Sequence, residues 1–324
     1  MTAVNDPAAL RRRGTRAFAR SGPSGPGAGA VARRRWLSAA LPALGMVPFF
    51  AIVAAFLGVP LYYMIHGAFT STDALTGRSG GLTLHNFKTV FSQPEYMTAL
   101  KNSAILSVWT SVGPAILGLW FAAAVVAGNP AGLLRRITSA VSGVLAYFAG
   151  APLAFVVIAA YGAEGTVTIV LRDLFGWFLP NAISTASLLG VGLTYFMFQI
   201  PLMVIFVTPA LEGLRPEWEE AARNLGATRL AYIRHVVAPV LTPSIVAATL
   251  LLFGSSFSAF ATALALDGGG IDIVPTRINL ALSNNVLAAQ TNLAEALGTE
   301  MILVVAIVMV LYWLAQRRAG RWMR

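Results

Sequence analysis

Six apolar stretches of 17 to 28 residues, long enough to cross a hydrocarbon core of roughly 30 Å, constrain this chain more than any other feature. They cover residues 41–65, 100–127, 137–161, 187–210, 242–266 and 299–315. Lipid offers no partner to backbone N–H and C=O groups, so each stretch must close its own hydrogen-bond ladder as a helix. The expected fold is all-α: a polytopic membrane protein with six transmembrane helices. Charged residues supply only 11% of the chain, against about 25% in soluble domains, which is too little for a water-facing surface. The net charge of +10 does not indicate nucleic acid, because the basic residues flank apolar spans instead of forming one face of a soluble domain. There is no cysteine, and His66, His85 and His235 are too scattered to suggest a metal cluster. Pro48, Pro114 and Pro201 are expected to kink their spans.

Orientation follows from where Lys and Arg fall, since basic flanks stay in the cytoplasm. The segment before the first span carries Arg11, Arg12, Arg13, Arg16, Arg20, Arg33, Arg34 and Arg35, which sets the N-terminus inside. Alternation then places eighteen of the 23 basic residues inside and five outside, with a cytoplasmic C-terminus at Arg317, Arg318, Arg321 and Arg324. Residues 1–36 are Arg-rich, then Gly/Pro/Ser-rich, and are expected to be a disordered cytoplasmic tail. The apolar stretch that follows exceeds the h-region of a secretory signal, and five more spans come after it, so it is expected to be retained. Residues 37–318 form the membrane domain, with a cytoplasmic loop at 211–240, and 319–324 a basic C-terminus.

That loop is the most informative segment. Pro216 suits the first position of a helix, and Glu217, Glu219 and Glu220 favour the positive end of its dipole. Gly226 suits the left-handed residue that ends a helix, Thr228 caps a second helix, and Pro239 is expected to stop it. The residues Glu220, Ala221 and Ala222, then Gly226, then Val236, Ala238 and Pro239, resemble the "EAA" loop of binding-protein-dependent ABC importer permeases. The likeness covers about 37–315, and within the family the chain most resembles the polyamine (spermidine/putrescine) type, through Gln199-Ile-Pro-Leu-Met, Leu225-Gly-Ala, Gly268-Gly-Gly and Tyr312-Trp. Iron, thiamine, phosphonate and sugar importers share this architecture. The resemblance implies a six-helix permease whose loop residues Glu220, Ala221, Ala222, Gly226, Val236 and Pro239 couple it to a dimer of ABC ATPase subunits. It also implies a second permease, related or identical, and an extracytoplasmic substrate-binding protein. Cofactors would not bind this chain: ATP and Mg would sit on the ATPase, since no phosphate-binding Gly-x4-Gly-Lys loop occurs here.

Polar residues inside spans are candidates for a substrate path because burying them in lipid is costly. Tyr195, Gln199, Ser255, Ser256 and Ser258 are the candidates, although serines also mediate helix packing and Gln199 could instead satisfy backbone groups freed by Pro201. Asp73, Glu95, Glu164, Asp173, Asp267, Asp272, Glu295 and Glu300 are expected in outside loops. Such an acidic mouth, with Asp267 and Asp272 flanking the Gly-rich loop, would suit a small organic cation. Residues 165–177 read as a helix seated at the outer headgroups. An ion-gradient-driven transporter or channel is the alternative class; it would show ionisable residues inside its spans, and the spans as drawn have almost none.

Overall fold

The computed structural model describes residues 46–72, 79–128, 132–178, 183–283 and 288–322. The tail at 1–36 and residues 323–324 lie outside them. The chain divides at Pro60 into two compact units. In the first, the described residues 46–60 are helical, with a π turn over Ala54–Gly58 and outward-facing Phe49 and Phe56.

Leu61–Arg324 forms the second unit. Helix α1 (Met46–Ala68) ends in it and leads into an antiparallel hairpin, β1 (Thr70–Thr72) and β2 (Ser79–Leu82), paired Thr70 to Leu82 and Thr72 to Ser79. Helices α2 (His85–Ser92), α3 (Pro94–Val126), α4 (Leu133–Tyr147), α5 (Ala151–Tyr161), α6 (Thr166–Phe175) and α7 (Leu188–Glu212) follow. Then come α8 (Pro216–Asn224), α9 (Arg229–Ser258), α10 (Ala261–Asp267), α11 (Val274–Ser283) and α12 (Ala288–Trp322). Among the described residues, six segments are long and apolar enough to cross a membrane: α1, α3, Ala151–Phe175, α7, α9 and Thr291–Arg317 of α12. The α-helical six-span architecture therefore stands.

Pairing of α3 with α7 makes the spine of this unit, and α9 packs on α3 and α12. Small residues permit the close approach, as expected where apolar burial alone cannot drive association in lipid. A Cβ added at Gly118 would lie 2.9 Å from the Ile200 carbonyl oxygen and 2.6 Å from Met203 Cβ. Gly113 lies beneath the Phe196 ring, whose centroid is 5.3 Å from that of Trp109.

The third span departs from expectation. Instead of one rod over 137–161, the chain breaks at Phe148–Gly150, where Gly150 takes φ +83°. The segment that meets the length and hydropathy of a span is Ala151–Phe175, itself turned at Gly162–Gly165. Span five breaks as well, between α9 and α10. Non-helical backbone at membrane depth persists only where its polar groups are satisfied, and here the first break is answered from α10 and the second from α7. Gly150 N–H donates to Thr262 Oγ1 (3.0 Å), and the Tyr195 hydroxyl donates to the Ala259 carbonyl (2.8 Å). Pro114 and Pro201 lie inside continuous helices, whereas Pro152, in the first turn of α5, stands directly after the first break. Residues 165–177 do hold a helix, α6, ended by Gly176 in the left-handed region at φ +68°, but it forms the second half of the Ala151–Phe175 segment.

Candidate functional site

The loop between α7 and α9 is built as its residues dictate. Pro216 opens α8, with Glu217 and Glu219 in the first turn at the positive end of the dipole. The helix closes in a Schellman-like turn, with Gly226 at φ +77°, Gly226 N–H donating to the Arg223 carbonyl (2.9 Å) and Ala227 N–H to the Ala222 carbonyl (2.9 Å). Thr228 caps the next helix by accepting from Ala231 N–H at 3.3 Å. Glu219 and Arg223, one turn apart, form an ion pair at 2.6 Å.

Pro239 does not stop the second helix. A π turn over Ile233–Val237, closed by Ala238 N–H onto the Ile233 carbonyl, absorbs the proline's missing donor and ring clash, and the helix runs on to Ser258. The loop therefore continues into span five without a joint. Val237 and Leu214 pack on a buried cluster that includes Val207, Leu211, Leu241 and Leu252, and Arg135 forms an ion pair with Glu212.

Its outer surface is exposed. Glu220, Ala221, Gly226, Ala238 and Pro239 face outward, and Ala222 and Val236 are half-buried. Leu225 (87% exposed) and Leu230 (73%) project fully. A Cβ built on Gly226 meets nothing within 4 Å, so the backbone angle alone, and not crowding inside the chain, demands glycine there.

The intramembrane candidates are closed in. Tyr195 and Gln199 are fully buried, and Ser256 is 3% exposed. Gln199 Nε2 donates to Ser256 Oγ (2.7 Å), which lies 2.5 Å from Thr110 Oγ1. Thr110 Oγ1 donates to the Leu106 carbonyl (2.6 Å), so its proton is committed and the Ser256 hydroxyl must donate to it. This gives a directed chain from span four through span five to span two. It leaves Gln199 Oε1 buried without a partner, and the Gln199 amide serves Ser256 instead of the backbone near Pro201. Ser255 is half-buried, and Ser258 donates back to the Gly254 carbonyl (2.9 Å). Thr110 and Thr262 escape a reading of the sequence, because a threonine in an apolar helix carries no signal until its partner across the helix interface is known.

On the side opposite the loop, Asp272 pairs with Arg277 at 2.7 Å, and Arg277 also reaches Glu95 at 3.3 Å. Asn102 Nδ2 donates to the Asp272 backbone carbonyl (3.0 Å), and Asp267 Oδ2 is buried without a partner. The acidic outside loops need correction. Glu295 and Glu300 lie within α12, not in a loop; Glu300 is 7% exposed, and its Oε2 is buried without a partner. Glu95 sits in the first turn of α3, and Asp73 lies outside the described residues.

No profile of a known protein family matches the chain. Individual relatives do. The sulfate transport system permease protein CysT of Salmonella typhimurium is 42% identical over 84 residues, which is 26% of this chain and only 30% of CysT's length. PhnU of Salmonella typhi, a permease protein named for 2-aminoethylphosphonate transport, is 25% identical over 281 residues, covering 86% of this chain and 95% of PhnU. The permease MsmF of a multiple sugar-binding transport system in Streptococcus mutans is 25% identical over 284 residues, 81% of this chain and 92% of MsmF. Among solved structures, a chain of a bacterial ABC transporter for import of the acidic polysaccharide alginate superposes with a TM-score of 0.64 at 18% identity, covering 89% of this chain and 96% of that one. That likeness bears on the fold alone. The chain is therefore similar along most of its length to permease proteins of transport systems, and it shares its helical fold with a chain of a bacterial ABC transporter.

Proposed function

We propose that this chain is the non-catalytic, membrane-spanning subunit of an ATP-driven importer. It takes substrate from an extracytoplasmic binding protein, works beside a second permease, related or identical, and docks its 211–240 loop on a dimer of ATPase subunits that hold ATP and Mg. The observation that carries this reading is the loop: an exposed, rigidly built knob whose second half is continuous with span five. The solved alginate importer bound to its periplasmic protein supports the binding-protein partner. The reading requires the loop to be cytoplasmic. Reporter fusions after Arg35, after Gly132, within 215–234 and after Arg318 are expected to report cytoplasm, and fusions near Gly80 and Gly269 the outside. An outside signal from within 215–234 would reject the docking role.

The acidic-mouth argument for a polyamine or similar cation weakens, because Glu295 and Glu300 belong to α12 and Glu95 and Asp272 share Arg277. Relatives named for sulfate and 2-aminoethylphosphonate favour a small solute carrying an oxyanion. Uptake of a labelled oxyanion, unaffected by excess putrescine, is the expected outcome; competition by putrescine alone would restore the cation reading.

A gradient-driven transporter has one observation in its favour, the buried Glu300 carboxyl inside the last span. Collapse of uptake by a protonophore at constant ATP would support that class; insensitivity supports the importer.

A further inference from the structure

Gly226 turns the chain between α8 and α9, and a cleft of about 330 Å³ opens there, lined by Glu219, Ala222, Arg223, Ala227, Arg229 and Tyr232. Two of its lining residues are alanines, Ala222 and Ala227, tied by the 2.9 Å bond from Ala227 N–H to the Ala222 carbonyl. A larger side chain at position 222 would fill the space. The walls carry two arginines, Arg223 and Arg229, against one carboxylate, Glu219. The carboxylate of Glu219 is already bonded by Arg223, and no ion pair among the described residues includes Arg229. Glu219 and Arg223 thus answer each other, and Arg229 and Tyr232 are left among the lining residues to meet an incoming group.

Resting on the importer reading above, we propose that this cleft receives an aspartate or glutamate side chain of the ATPase subunit. Guanidinium forks match carboxylates in geometry and charge. Leu225 and Leu230, both exposed on the same loop, supply apolar contact that excludes water and strengthens a charged anchor at the centre of an interface. A lipid phosphate is the competing anion, but Glu217, Glu219 and Glu220 on the same helix disfavour an extended anionic surface such as a leaflet more than one carboxylate reaching Arg229.

The test uses the full-length tagged chain, co-purified with its partner subunits. Ala222→Leu, which keeps a good helix former but fills the cleft, and Arg229→Glu are each expected to lower ATPase retention at least about tenfold, the scale of losing one desolvated charge pair. Arg229→Lys should retain the ATPase and, with a water-soluble carbodiimide, form an amide to an acidic residue of that subunit, which peptide mass spectrometry would locate. Retention at the wild-type level by both Ala222→Leu and Arg229→Glu would overturn the cleft while leaving the loop's docking role intact. So would an Arg229→Lys variant that retains the ATPase but forms no link to it, or a retention that depends on anionic lipid instead of Arg229. Failure of the wild-type chain to retain any ATPase would overturn the importer reading and the cleft together.

Discussion

Membranes carrying a Gly226→Val, Glu220→Lys double variant are expected to contain the chain at normal abundance and to show uptake lowered at least about tenfold. Gly226 holds φ +77°, a region that costs an ordinary L-residue roughly 1–2 kcal/mol and a β-branched one more. Relieving that strain unwinds the turn that ends α8 and sets its angle to α9. Glu220→Lys puts a positive charge near the positive end of the α8 dipole, on a face that is exposed and so available to a partner. The spans should be indifferent, because a Cβ at position 226 touches nothing within 4 Å and no described ion pair involves Glu220. Immunoblots of the membrane fraction measure abundance, and uptake into vesicles measures transport. Full transport by the double variant would mean that the loop does not drive the spans.

Gly118→Val is expected to have the opposite profile, with little folded protein of any kind. The added Cβ would stand 2.6 Å from Met203 Cβ and 2.9 Å from the Ile200 carbonyl oxygen, so α3 and α7 must separate along the interface that forms the spine of the unit. Overpacking of this kind costs about 1–3 kcal/mol in well-packed cores, and a backbone oxygen, unlike a side chain, has no alternative rotamer to move to. The loss should sit at or above the upper end of that range. Gly254→Ala serves as the comparison, since nothing lies within 4 Å of its Cβ position and alanine favours the helix. Thermal unfolding in detergent should show a much lowered midpoint for the first and an unchanged or raised one for the second. Equal midpoints would contradict the close packing of α3 on α7.

These two predictions also mark what can be read from sequence and what cannot. Span number follows from hydropathy, because twenty apolar residues in lipid have one solution. The loop follows from local rules: Pro216, Gly226 and Thr228 act within their own turn, and each is found in the expected role. Pro239 misleads because the π turn that accommodates it depends on backbone geometry several residues earlier. Gly150 and Pro152 mark the break at Phe148–Gly150 only faintly within an apolar run, and the Thr262 hydroxyl that satisfies it lies more than a hundred residues away. Glu295 and Glu300 read as loop residues because charge ends the apolar window. The helix extends beyond that window to include Glu295, whereas Glu300 falls just inside the span drawn from 299 and is buried there. Gln199 and Ser256 are recognisable as costly, but not as members of one directed chain that closes on Thr110. Local chemistry is legible and pairing across elements is not.

The most direct measurement is affinity purification of the tagged full-length chain from its native membranes, with quantitative mass spectrometry of what comes with it. The predicted result is an ATP-hydrolysing subunit in stoichiometric amount with the permease chains, lost in the Gly226→Val, Glu220→Lys variant while the membrane partner is retained. A chain that purifies without any nucleotide-hydrolysing protein, yet still supports uptake in vesicles driven by an ion gradient, would contradict it.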